Sequence, residues 1–135
     1  QRDAAATCWS NYKHYFPASG LGYCYDLKDV TAYYALYSDF MQFLQTSYGD
    51  RIYHFNYEKL TTDQETESRN LIQYLELEWE NACLSPQANK RIVRTASKHQ
   101  VRKKIYQGSS QQWCKYEPLL NGAFDDLMDF KERSR

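Results

Sequence analysis

The sequence is short of the residues that break chains or staple them. Three prolines and five glycines in 135 residues are too few for a collagen-like or disordered low-complexity chain. No apolar run approaches the ~20 residues that a membrane span needs, and mean hydropathy is −0.82. Seventeen basic residues meet seventeen acidic ones, so the formal net charge is +0 and the molecule as a whole is no polyanion binder. The four cysteines, Cys8, Cys24, Cys83 and Cys114, form no C-x-x-C pair, and no histidine stands at zinc-ligand spacing from a cysteine pair. Two disulfides remain formally open; the plainer reading is four thiols used as small apolar side chains. No internal repeat is visible. The chain opens QRDAAATCWS, with neither an initiator methionine nor a positive-then-apolar leader, so the expectation is a chain whose leader was removed or one cut from inside a larger fold.

Aromatic residues are abundant. They make up 16% of the chain, led by 13 tyrosines, which argues for a core of large, half-polar rings and against an intrinsically disordered tail. The length suits one domain, residues 1–135, able to bury about two thirds of its unfolded surface.

The pattern along the chain predicts a helix over 4–16, favoured by Ala4–Ala6 and closed by Pro17. A loop follows over 17–28. Asp29 is the expected N-cap of a long helix to Tyr48, stopped by Gly49-Asp50, with Val30, Tyr33, Tyr34, Tyr37, Met41, Leu44 and Tyr48 at helical spacing. RIYHFNYEKL reads as a strand over 51–57. Thr61 or Thr62, with Glu65, reads as a capping box for a helix carrying Leu71, Ile72 and Leu75 inward to about Leu77. Residues 78–92 read as irregular, 93–109 as a long ordered loop, and Ser110 as the cap of a helix to Leu120. A last amphipathic helix is expected over 122–132, with Phe124, Leu127, Met128 and Phe130 inward.

The zero net charge hides an asymmetry. Residues 58–80 carry a net −5, whereas 90–104 carry seven basic residues and no acid. Such a block is either a solvated face or an anion site, since clustered Arg and Lys raise the local concentration of phosphates.

Three blocks, in order, resemble the nucleotide-dependent sulfotransferases. Arg2-Asp3 followed by Ser10 is similar to the strand-end arginine and helical serine that hold the 3′-phosphate of 3′-phosphoadenosine 5′-phosphosulfate. RIYHFNYEKL is similar to the strand ending in Tyr-Glu-x-Leu, whose tyrosine, here Tyr57, contacts adenine. TASKHQVRKKIYQGSSQQWCKYEPLL is similar to the segment that wraps the nucleotide in bacterial TPR-linked sulfotransferases and tyrosylprotein sulfotransferases, and LIQYLELEWENACLS resembles the stretch before it. The resemblance covers Arg2 to Leu120. It implies that the nucleotide is bound by Arg2, Ser10, Tyr57, Thr95, Ser97, Val101, Arg102 and Lys103, with Ser97 near the oxygen bridging phosphate and sulfate. The residue types suit that role. An Arg fork gives charge-assisted donors to a phosphate dianion, and a hydroxyl near a helix N-terminus adds one in a favourable dipole field. His14, one turn beyond Ser10, reads as a surface histidine.

The chain departs from the family pattern in places. Gln1 and Ala4 stand where Val and Pro are usual, and Gln112 stands where the tyrosylprotein relatives carry Lys. No Pro-Arg-Ser-Gly-Thr-like loop for the 5′-phosphosulfate is present, and the family's acceptor base lies upstream of these motifs. The resemblance therefore implies a piece that is mostly α with few strands, the C-terminal part of a three-layer α/β, P-loop-like sulfotransferase fold. It implies transfer of a sulfuryl group to an acceptor hydroxyl or amine, with the isolated chain inactive. The expected partners are the donor nucleotide and its 3′,5′-bisphosphate product, with no metal and no membrane, and with self-association through an exposed sheet edge. The expected location is cytoplasmic as in bacterial relatives, or lumenal as in the tyrosylprotein ones. The competing reading is a non-catalytic anion or nucleic-acid module that uses residues 90–104.

Overall fold

A computed structural model describes residues 1–17, 19–89 and 103–127. The chain divides into two compact units. One comprises Arg2–Ile52 and Gly108–Arg135, the other Gln1 and Tyr53–Gln107.

The first unit holds the core. Helix α1, Ala4–Tyr12, starts on Asp3, whose Oδ1 accepts from the Ala6 amide at 2.9 Å. This cap satisfies an amide that the first turn leaves without a helical partner. Ala4, Ala5, Ala6 and Cys8 are buried with Val30, Trp113, Leu120, Phe124 and Leu127, so the alanine run lets neighbouring elements approach the backbone closely. The helix ends at Tyr12, short of the expected Phe16. The Lys13 amide closes it on Trp9 O at 3.0 Å, and Pro17 disfavours helical backbone at the residue before it.

Helix α2, Leu27–Tyr48, begins earlier than predicted because Asp26, not Asp29, caps it; Asp26 Oδ1 accepts from the Lys28 and Asp29 amides at 2.7 and 3.1 Å. Asp29 sits in the first turn, where its charge complements the helix dipole. The helix ends at Gly49, as expected. Its predicted apolar face splits in two. Val30 is buried and Tyr34, Met41 and Leu44 are half-buried, but Tyr33, Tyr37 and Tyr48 are exposed, as are Leu36, Phe40 and Phe43.

The expected helix from Ser110 to Leu120 is instead a 3₁₀ segment, Ser109–Lys115, followed by a 3₁₀ turn, Glu117–Leu119. Gly108 introduces the first with φ +88, a backbone region that costs a Cβ-bearing residue about 1 kcal/mol or more. Phe124 and Leu127 point inward as predicted; Met128 and Phe130 lie outside the described residues.

The second unit has no strand and no fully buried side chain among the described residues. The predicted strand over 51–57 is corrected: Ile52 and Asn56 have extended backbone, but Tyr57 opens helix α3, Tyr57–Thr62, capped by Asn56. One rung of pairing is nonetheless present. The Gln1 amino group donates to Phe55 O, and the Tyr57 amide donates to Gln1 O at 2.8 Å. This is the hydrogen-bond pattern of parallel strands, with Gln1 opposite Asn56. Helix α4, Gln64–Tyr74, is capped by Asp63, whose side chain accepts from the Thr66 amide, rather than by Thr61 or Thr62. Those threonines turn their hydroxyls back onto α3, to Glu58 O at 2.9 and 3.1 Å. Leu71 and Ile72 are half-buried, whereas Leu75 lies beyond the helix and is exposed. Residues 81–84 and 86–88 form short 3₁₀ turns.

Candidate functional site

The sequence singles out Arg2 and Ser10, and both lie in the first unit, at the two ends of α1. Arg2 is half-buried and precedes the cap. Its Nε donates to Ser110 Oγ at 3.5 Å and its Nη2 to Ser109 O at 3.4 Å. These two acceptors lie more than a hundred residues away in sequence and are supplied by the start of the 3₁₀ segment. Ser10 is half-buried in the last turn of α1, about 9 Å along the axis from Ala4. That placement corrects the dipole argument. The carbonyl end of a helix carries partial negative charge, so Ser10 offers its hydroxyl as a hydrogen-bond donor without help from the helix. Thr7 and His14 follow the spacing of the Ser10 face. The Thr7 hydroxyl is turned back to Asp3 O at 2.9 Å. His14 lies past the end of α1, half-buried, with its ring edge-on to Phe16 at 4.6 Å.

The 3₁₀ segment is fixed against α1 at several points. Trp113 is buried and meets the Phe124 ring edge-on at 5.9 Å. Tyr116, just past its end, stacks on Trp9 at 4.6 Å. Lys13 Nζ donates to Gln112 Oε1 at 3.0 Å. Two cations of the α1 region, Arg2 and Lys13, are thus both turned toward one short segment. A side chain that places a guanidinium on a firm support can present a two-toothed donor edge to a phosphate.

On α1 itself, the Cys8 thiol is nearly inaccessible and contacts Val30 O at 3.8 Å. Burial first, and the nearby Asp3 carboxylate second, push it up to about 12. It is a packing group and no nucleophile. All four cysteines are free.

In the second unit, Tyr57 is the first residue of α3, half-buried, with its amide on Gln1 O. Lys103 is exposed, beside the exposed Lys104. Thr95, Ser97, Val101 and Arg102 lie outside the described residues, as does most of the basic block. Among the described residues no group of three or more His, Cys, Asp or Glu could hold a metal ion, and no helix is long and apolar enough to cross a membrane.

Sequence pattern does not mark Ser109 and Ser110 as acceptors for Arg2, nor Lys13 as their neighbour. The Gly-Ser-Ser-Gln-Gln-Trp run that carries the serines is plain in the sequence, but its contact with Arg2 depends on tertiary approach.

A model of the sulfotransferase family matches residues 1–81, a span that holds Arg2, Ser10 and Tyr57. A protein of Aquifex aeolicus (strain VF5), named only as an uncharacterized protein, is 33% identical over 122 residues. The match covers 89% of this chain and 16% of that protein, so the chain spans about one sixth of the length of this curated relative. No solved structure matches.

Proposed function

Because this chain belongs to the sulfotransferase family, we propose that it holds the 3′-phosphate and adenine of 3′-phosphoadenosine 5′-phosphosulfate while a sulfuryl group passes to an acceptor hydroxyl or amine. The observation that carries this reading is the guanidinium of Arg2, held at the start of α1 by Ser109 and Ser110, with the Ser10 hydroxyl on the same helix. A phosphate dianion needs such donors: a planar fork for two of its oxygens and a hydroxyl for another. Tyr57 is the adenine contact, an aromatic face with a polar tip. Thr95, Ser97, Val101, Arg102 and Lys103 complete the nucleotide contacts. The parallel rung between Gln1 and Asn56 supports the three-layer α/β architecture, since a parallel sheet is built of such rungs.

In the transfer, the bond between sulfur and the bridging oxygen of the donor breaks, and a bond from sulfur to the acceptor oxygen or nitrogen forms. The acceptor proton goes to a base that this chain's motifs do not include. Negative charge builds on the leaving phosphate, and fixed positive charge lowers the barrier by stabilising it. By the family resemblance, Arg102, Lys103 and the Ser97 hydroxyl fill that role. Arg2 and Ser10 bind the remote 3′-phosphate and hold the nucleotide in register for in-line attack.

Calorimetric titration with adenosine 3′,5′-bisphosphate and with AMP tests the reading. The 3′,5′-bisphosphate binds more tightly, and Arg2→Ala removes that preference with a loss of about thirtyfold, the scale of a charge-assisted pair. Equal affinity for the two nucleotides, with binding that falls steeply with salt, overturns it in favour of a polyanion-binding surface.

A further inference from the structure

Ser110 is a polar side chain buried to 7% exposure. Its hydroxyl oxygen accepts from Arg2 Nε, and its neighbour's carbonyl accepts from Arg2 Nη2. Both donors belong to one edge of the guanidinium. A free arginine side chain samples many rotamers, and two fixed acceptors on one edge set both its reach and the plane of its fork.

The support behind these acceptors is rigid for reasons already visible. Gly108 turns the chain with φ +88 immediately before Ser109. Trp113 anchors the same segment in the core, Tyr116 stacks on Trp9, and Lys13 ties Gln112 to the end of α1. A buried serine in a packed segment has few rotamers open to it, and a buried hydroxyl is favoured where it has a polar partner to satisfy.

We infer that Ser110 is a positioning residue, whose hydroxyl orients the Arg2 guanidinium toward the 3′-phosphate. The inference rests on the nucleotide reading above and adds a residue that lies beyond the span matched by the family model. Ser110 acts through Arg2, so its contribution exists only while the guanidinium is present.

The test uses the intact protein with Arg2→Ala, Ser110→Ala, Ser110→Thr and the double variant Arg2→Ala/Ser110→Ala. Affinities are measured for adenosine 3′,5′-bisphosphate and AMP. Ser110→Ala weakens the bisphosphate about tenfold and leaves AMP unchanged. Ser110→Thr, which keeps a hydroxyl, restores the bisphosphate affinity. In the Arg2→Ala background, loss of the Ser110 hydroxyl has no further effect. A second readout needs no ligand: the nitrogen-15 signal of Arg2 Nε shows a slowly exchanging proton in the wild type and in Ser110→Thr, and a fast one in Ser110→Ala. A bisphosphate affinity that survives Ser110→Ala but not Arg2→Ala overturns the role of Ser110 and leaves the nucleotide reading standing. An affinity untouched by Arg2→Ala overturns both. Should Ser110→Ala fail to fold, a fast-exchanging Arg2 Nε proton in the wild type overturns the inference by itself.

Discussion

The two units are built on different principles. The first is organised by apolar burial: Ala4–Ala6, Cys8, Val30, Trp113, Leu120, Phe124 and Leu127 form a continuous core. The second has no fully buried side chain among its described residues and is organised by polar and aromatic ties. Gln64 Nε2 donates to Leu84 O at 3.0 Å, Arg69 pairs with Glu65 at 2.8 Å and lies over the Trp79 ring at 4.1 Å, and Tyr53 meets Tyr74 at 4.8 Å. Exposed ties of this kind each contribute little, because water and salt compete for them. A packed core gains with every methylene removed from water. Arg2 and Ser110 belong to the unit whose geometry is held by packing, where a donor can be kept in one orientation.

Opening the core separates the two units most clearly. Phe124→Ala removes a ring that is 3% exposed and contacts Trp113; it costs about 3–4 kcal/mol in urea unfolding. Ile72→Ala on the half-buried face of α4 costs about 1 kcal/mol. Equal losses would mean that the second unit has a core of its own.

Alkali loosens the first unit through Cys8. The thiol ionises near its ordinary 9.0 when unfolded and near 12 when folded. Between those values the native chain holds a proton that the unfolded chain has released, so stability falls as pH rises from 9 toward 12, by up to about 1.4 kcal/mol per pH unit. Cys8→Ala flattens that slope in unfolding curves taken at successive pH values.

An effect as small as that of Ile72→Ala belongs to a cap. Asp63→Ala removes the side-chain acceptor from the Thr66 amide and costs about 1 kcal/mol. Hydrogen exchange registers this as faster opening of α4, with the amides of α1 unchanged.

How much is legible in the sequence follows the same division. The stop of α2 at Gly49 and the inward turn of Phe124 and Leu127 can be read directly, because glycine and apolar spacing act locally. The start of α2 cannot, because Asp26 and Asp29 are both good caps, and which one serves depends on where Leu27 and Val30 pack. The segment over 51–57 has the composition of a strand, but a strand exists only with a partner, and one rung at Gln1 is what the described residues provide. Among the candidate residues, Arg2, Ser10 and Tyr57 are marked by motif. The acceptors of Arg2 are not, because the contact spans 107 and 108 residues of sequence.

The rung that joins Gln1 to Phe55 and Tyr57 is made of main-chain atoms alone. Evolutionary drift in the three side chains leaves it intact, so it can persist among relatives that share no identity at those positions. Proline at 57 is the exception. It lacks the amide hydrogen, yet it suits the opening residue of a helix, so it would remove one of the rung's two bonds while sparing α3.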